Sequence, residues 1–359
     1  MKILQVMPDF ETAGAQTMLE NLSMQLIKDK SNNIKVISFY NKRCAITERM
    51  EKNNIEIYYL GKIKGFDIRI IFKLYKIIKK FNPDVIHTHR YSLEYIMPAI
   101  KLLNNKSIKI IHTIHNVAEK EVPDRLQKMQ KIWFENNQVI PVAISQVVQK
   151  SICNRYNVLP ENVPIINNGI DLSKCIKKND YKFNNRIVHI GRFTEQKNQK
   201  ELIDIFSIVM NKKNNNKLQL ILVGEGEQFL KIKEYVKYKN IEKNVIFKGK
   251  IDSCYNILNQ SDIFVMPSKW EGMPMTIIEA MGTGIPIVAY PVGGIKDIIN
   301  DGLNGFLVNN IEEFADRIMQ LENNIKLRER IGNNAKESAN QYSSKEMSKR
   351  YKELYLKQK

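Results

Sequence analysis

Short apolar runs alternate along this chain with amphipathic stretches of helical period. Residues 2–7, KILQVM, read as a buried strand, followed by a loop over residues 8–15 and a helix over about 16–28. Residues 33–40 and 55–60 read as the next strands. From 67 to 81 the pattern predicts an amphipathic helix, with Ile70, Ile71, Leu74, Ile77, Ile78 and Phe81 on one stripe and Lys73, Lys76 and Lys80 opposite. A helix covering a sheet with its basic face solvated explains that stripe better than a helix lying on a membrane. Asn82-Pro83 stops it, and a strand begins over 84–87. Residues 119–137 read as a mostly polar helix broken near Pro123, and 139–145 as a further strand ending at Ser145. Alternation of this kind predicts a parallel sheet with helices on both faces. Residues 172–185, rich in lysine and asparagine, read as a linker. The alternation then restarts with strands over 186–190, 218–223, 245–248 and 262–266 and a helix over 200–210. A last amphipathic helix over 344–357 places Met347, Tyr351, Leu354 and Tyr355 at helical spacing.

At 359 residues the chain suits two domains, and 43% hydrophobic content is enough for two cores. No apolar stretch reaches the roughly 18 to 20 residues that span a bilayer, and MKILQVMPDF lacks the features of a signal peptide. Cys44, Cys153, Cys175 and Cys254 show no metal or redox spacing. A cytoplasmic, reduced protein is expected. The formal charge of +18, mostly surplus lysine, adds an anionic partner to the picture. Without zinc-finger spacing or an RNA-binding motif, no nucleic acid is expected, and peripheral contact with the anionic inner face of the cell membrane is favoured.

The candidate chemistry is concentrated in two stretches. SKWEGMPMTIIEAMGTG, from Ser268 to Gly284, follows a strand closed by Pro267 and turns into a helix. It places Glu271 in the loop mouth and Glu279 eight residues on, inside the helix. The N–H groups of a helix's first turn lack internal partners and sit at the positive end of its dipole, which makes the backbone near Met275 and Thr276 an anion site. In GRFTEQKN, Arg192 and Lys197 follow a strand and Gly191; arginine offers phosphate a planar fork and lysine a compact charge. Four of the five histidines, His87, His89, His112 and His115, crowd a third stretch. Converging imidazoles could ligate zinc, although no carboxylate or cysteine completes a catalytic metal pattern.

With its continuation GIPIVAYPVGGIKDIINDGLNGFLV, the E-x7-E stretch resembles the retaining glycosyltransferases of family 4. PDVIHTH, IHTIHN, PVAIS, NNGID and GRFTEQKN extend the resemblance over nearly the whole chain, densest from Gly191 to Leu307. The resemblance implies an α/β protein of the GT-B fold, two doubly wound Rossmann-like domains facing each other across a cleft. Its division would be an acceptor-binding domain over 1–171, the linker, a nucleotide-sugar domain over 186–340, and a terminal helix over 341–359 packing back on the first domain.

The reaction implied is transfer of a hexose or N-acetylhexosamine from a UDP-sugar, with retention, to a hydroxyl of a glycan or polyprenyl-linked acceptor in capsule, exopolysaccharide or other surface-glycan assembly. Arg192 and Lys197 would hold the diphosphate, Glu279 the ribose, and Glu271 with Gly272, Met273, Pro274, Met275 and Thr276 the sugar. His115 would face the reacting sugar, His89 and Arg90 would line the acceptor side, and Gly14 matches the second glycine of the family's GG loop, with Ala13 in place of the first. Asn198 replaces a usual glycine. The D-x-D signature is absent, so no metal and no cofactor are expected. Two alternatives stay open: a nucleotide-sugar epimerase of the same fold, and a non-catalytic basic protein that binds lipid or nucleic acid.

Overall fold

The computed structural model describes residues 1–10, 14–105, 107–213 and 217–357. It divides into two compact units, Met1–Gly169 with Ser344–Lys359, and Ile170–Ser343. The first is built on a six-stranded sheet. Its strands are β1 (Lys2–Met7), β2 (Asn33–Ser38), β3 (Glu56–Tyr59), β4 (Val85–His89), β5 (Lys109–Ile114) and β6 (Ile140–Ala143). Their order is β3-β2-β1-β4-β5-β6, and every pairing is parallel. Both faces are covered, so β1, β4 and β5 are buried almost end to end rather than alternating. One face buries Ile70, Ile71, Leu74, Ile78 and Phe81 of the helix Ile68–Phe81. Asp67 caps that helix, and Asn82 ends it in a left-handed turn. Met347, Tyr351 and Tyr355, four apart on the helix Ser344–Leu356, pack with Ile3, Ile111 and Val142 on the other face.

The second unit repeats the plan with β7 (Arg186–Ile190), β8 (Gln219–Val223), β9 (Val245–Gly249), β10 (Ile263–Met266), β11 (Ile287–Ala289) and β12 (Phe306–Leu307). The order is β12-β11-β10-β7-β8-β9, again all parallel. In each sheet the order reverses once, between β1 and β4 and between β7 and β10. A doubly wound sheet opens a crevice at the carboxyl ends of its strands at that switch point, and ligands bind there.

Two sequence expectations change. Residues 172–185 are not a linker but belong to the second unit, with Cys175, Lys178 and Tyr181 buried. Lys178 Nζ donates to the Ser261 carbonyl at 2.7 Å and lies 3.7 Å from the Asp262 carboxylate, while the Tyr181 hydroxyl donates to the Gly284 carbonyl at 3.1 Å. A segment poor in apolar residues is thus held by a few polar anchors that composition does not reveal. The units meet the chain at 169/170 and 343/344 rather than at 171 and 340. Helices at Ala45–Lys52, Leu93–Leu103 and Gln146–Tyr156, unread in the sequence, also belong to the first unit. Among the described residues no helix is long and apolar enough to cross a membrane.

Candidate active site

In the second unit the candidate residues gather on the loops that leave β7 and β10. Phe193, fully buried against Phe229 and Phe247, pins the turn after β7 and leaves its neighbour Arg192 exposed. The Arg192 carbonyl accepts from Gln199 Nε2 at 2.9 Å. A short turn, Glu195–Lys197, ends at Asn198, whose backbone is left-handed at φ 54°. This is the conformation for which glycine is usually chosen; asparagine tolerates it because its short amide can bond locally, here to Glu201 Oε2 at 2.8 Å. The turn aims Lys197 at the other loop, where its Nζ donates to Glu271 Oε1 at 2.6 Å. Gln196 Nε2 donates to the second oxygen of Glu271 at 3.3 Å and to the Trp270 carbonyl at 2.9 Å.

Glu271, expected at the loop mouth, is buried. A cation and an amide there answer its carboxylate, as a buried ion needs. The backbone beneath is fixed by Gly293, at φ 54°, where any Cβ would collide with the Glu271 carbonyl. Gly294 N–H donates to that same carbonyl at 3.2 Å. Gly272, Met273 and Pro274 then lead, all buried, into the helix Met275–Thr283. Pro274 stands at the N-cap and no side chain caps the helix. Among the described residues the first-turn N–H groups of Met275 and Thr276 therefore meet no capping side chain, at the positive end of the helix dipole.

Glu279 lies one turn further in. Its Oε2 accepts the Cys254 thiol at 3.1 Å. Burial pushes its carboxyl up to about 7, against smaller opposing pulls from the thiol and from Lys174. Below Lys197, His189 of β7 donates from Nδ1 to the Val265 carbonyl at 2.9 Å and accepts Gln199 Nε2 at 3.3 Å. Burial, with Lys197 adding to it, depresses that imidazole to about 4, so it is a neutral spacer under a charged loop.

The first unit collects rings at the corresponding edge. Gln5 Oε1 can only accept, so His89 Nε2, 3.3 Å away, carries a proton and His89 Nδ1 accepts from His115 Nε2 at 2.9 Å. The Nδ1 of His115 is then its unprotonated nitrogen. His87 bridges Tyr355 Oη and Thr113 Oγ1, each at 2.7 Å, and Thr113 continues to Tyr351 Oη at 2.8 Å. His112 joins Thr88 Oγ1 at 2.9 Å and Gln130 Nε2 at 3.4 Å. Burial first, then the crowding of the other rings and, for His115, the Arg90 charge, depress all four: His87 and His89 fall well below the usual histidine range, and His112 and His115 fall to about 3. Among the described residues no three His, Cys, Asp or Glu side chains are placed to hold a metal ion.

Arg90 follows β4 at φ 55°. Every other non-glycine residue with positive φ among those described is an asparagine, so Arg90 alone holds this strained conformation without a local amide to ease it. Its guanidinium lies 3.4 Å from Asp9, whose carboxylate also accepts Gln16 Nε2 at 2.9 Å. Gly14 opens the helix Gly14–Leu26; Ala13, with Glu11 and Thr12, lies outside the described residues.

Residues 12–174 match the sequence model described as Glycosyltransferase Family 4, and residues 175–338 match that of Glycosyl transferases group 1. The chain belongs to the family 4, group 1 glycosyltransferases. It is 26% identical over 315 residues to the N-acetyl-alpha-D-glucosaminyl L-malate synthase of Bacillus anthracis, covering 83% of this chain and 81% of that one. To the UDP-Gal:alpha-D-GlcNAc-diphosphoundecaprenol alpha-1,3-galactosyltransferase of Escherichia coli it is 29% identical, covering 71% and 70%. The crystal structure of Anabaena Alr3699/HepE in complex with UDP and glucose superposes with a TM-score of 0.84 at 20% identity over 99% of each chain. The two Rossmann-like units are those of a GT-B glycosyltransferase.

In this glycosyltransferase the second unit brings Arg192, Lys197, Glu271, residues 272–276 and Glu279 to one sheet edge, and the first brings His89, Arg90 and His115 to another. Sequence reading missed the residues that hold them. His189, Gln196 and Gln199 look like ordinary strand and loop positions, and only packing puts them under Arg192 and Lys197. Glu121 was read as part of a polar helix. It ends the short helix Ala118–Glu121 with its Oε1 buried and, among the described residues, unpartnered, and burial pushes its carboxyl up to about 7 against smaller opposing pulls from the His115 and Asn116 backbone and from Arg90.

Proposed function

We propose that this glycosyltransferase moves a sugar from a UDP-sugar, with retention and without a metal, to a hydroxyl of a glycan or polyprenyl-linked acceptor in surface-polysaccharide assembly on the cytoplasmic side of the membrane. The observation that carries this reading is the convergence of Arg192, Lys197 and the uncapped N-terminus of Met275–Thr283 at the β7/β10 switch point. Negative charge grows on the bridging phosphate oxygen as the sugar leaves. Two side-chain cations and a bare helix dipole are groups that favour that charge without reorganising. Glu279 accepts the ribose hydroxyls. Glu271 orients Lys197 and, with the loop 272–276, bonds the sugar; His115 presents its neutral Nδ1 to a substrate hydroxyl.

The name of the Escherichia coli relative and the UDP complex support a UDP-linked donor, and that name supports a lipid-linked acceptor. Incubation with a panel of UDP-sugars and polyprenyl-diphosphate-linked sugars should release UDP in step with product, whose anomeric configuration NMR reads as that of the donor. Excess chelator should leave the rate intact. Sugar inversion without UDP release would mark an epimerase, and loss of activity under chelation restored by a divalent ion would end the metal-independent mechanism.

A further inference from the structure

Large apolar side chains that stand more than half exposed are scattered along most of the chain but cluster in one window: Ile63 (58%), Phe66 (56%), Ile68 (59%) and Phe72 (53%). None belongs to the buried stripe of the helix Ile68–Phe81. Ile68 and Phe72 are four apart and share a separate face of that helix, continued by Lys76, while Ile63 and Phe66 stand on the loop just before it.

The loop is held in shape. The Asp67 carboxylate accepts Ile63 N–H at 3.1 Å and Arg69 N–H at 3.2 Å and pairs with the Arg69 guanidinium at 2.8 Å. Lys62 Nζ donates to the carbonyls of Ile63 and Gly65. The Phe66 ring stacks on Tyr95 at 5.3 Å. Along residues 62–80 the charge is mostly of one sign, Lys62, Lys64, Arg69, Lys73, Lys76, Lys79 and Lys80 against the acid Asp67, and the neighbouring acid Glu94 is paired with Arg125 at 2.6 Å.

We propose that this segment, from Ile63 to Lys80, is the surface by which the protein docks on an anionic lipid bilayer. Ile63, Phe66, Ile68 and Phe72 enter the headgroup region, and the lysines meet the anionic headgroups. Apolar tips ringed by cations fit that interface, because apolar burial and attraction to anionic lipid add there. A cavity of about 320 Å3 shares Phe66 and Lys62 with the patch and is otherwise lined by Tyr40, Tyr91, Tyr95 and Arg125 among others. Docking through Phe66 sets the mouth of that cavity at the lipid surface, and this consequence alone rests on the lipid-linked acceptor proposed above.

The test is co-sedimentation with vesicles of phosphatidylcholine alone or mixed with phosphatidylglycerol. The wild-type protein should partition roughly tenfold or more in favour of the anionic vesicles, less so at high salt. The double variant Phe66→Ser, Phe72→Ser should lose most of that binding at any salt, and Lys73→Glu, Lys76→Glu should abolish the anionic preference. Leu230→Ser, at a still more exposed apolar site in the second unit, should change nothing. UDP affinity and melting temperature, measured on each variant, should match wild type, which separates this surface from the donor chemistry. Equal binding by wild type and variants, no preference for anionic vesicles, or a dimer in light scattering that Phe72→Ser dissolves without any vesicle binding would each overturn the proposal.

Discussion

At the carboxyl edge of its sheet the first unit gathers uncharged rings, whereas the second gathers full charges. His87, His89, His112 and His115 pass hydrogen bonds among themselves and to Thr, Tyr and Gln, so each burial is matched by a partner and none needs a proton. In the second unit half-buried Lys197 and buried Glu271 form an ion pair at 2.6 Å. One scaffold, wound twice, therefore carries two electrostatic designs. A neutral network orients hydroxyls and is sensitive to acid, while a charged one binds and stabilises anions.

Acid should separate the two units most. A histidine held neutral in the fold contributes stability that is complete above its unfolded value of about 6.5 and is lost as pH falls toward its folded value, by about 1.4 kcal/mol per pH unit for each group. The first unit has four such rings, offset by one carboxyl, Glu121, whose raised pKa acts in the opposite direction. The second has only His189, offset by Glu279 and Asp262, both raised by burial. Trp133 and Trp270, one per unit, allow each to be followed in single-tryptophan variants made with phenylalanine. Between pH 7 and 5 the urea midpoint read at Trp133 should fall well below that read at Trp270. Parallel loss at both would erase the contrast.

Removing a charge tests the second design. Arg192→Ala and Lys197→Ala should each lower kcat by roughly ten- to a thousandfold beyond any rise in KM, the scale of losing a transition-state donor. Lys79→Ala, on the solvated face of its helix, should leave kcat unchanged for a soluble acceptor. Full recovery of the Arg192→Ala rate at saturating donor would reduce these residues to ground-state binders.

Glu279 offers the finest cut. Its folded pKa is raised from 4.5 to about 7, so ionised Glu279 destabilises the fold above that pH and is relieved below it. Ribose hydroxyls donate to the ionised form, hence UDP affinity should strengthen as pH rises from 6 to 8, by roughly tenfold. Calorimetry of wild type against Glu279→Gln isolates this from titration of the diphosphate. Identical pH profiles would remove Glu279 from the nucleotide site.

Much of this was legible in order along the chain, for reasons of distance. Arg192, Lys197, Glu271 and Glu279 sit in two strand–turn–helix segments whose strands prove to be neighbours. Local spacing fixes where each side chain leaves its own loop, and the glycine, proline and asparagine punctuation survives even where Asn198 stands for glycine. The parallel alternation of both sheets follows from mostly apolar runs of strand length separated by helical stripes, since a strand covered on both faces is buried along its length. The amphipathic helix Ile68–Phe81 and the helix Ser344–Leu356 announced themselves through period alone.

Other features belong to the tertiary structure because they join residues far apart in the chain. Glu271 is buried because Gly293 lies beneath its carbonyl and Lys197 reaches it from another loop, and none of the three positions predicts this by itself. His87 is neutral because Tyr355, 268 residues away, completes its bonds. Residues 172–185 looked like a linker because composition counts apolar groups, whereas Lys178 and Tyr181 are fastened by carbonyls. The stripe that the core takes from the helix Ile68–Phe81 is the one its period marks, but only the structure shows that Ile68 and Phe72, off that stripe, stand exposed. The sequence determines which face each element can bury; the fold decides which of those faces remains outside.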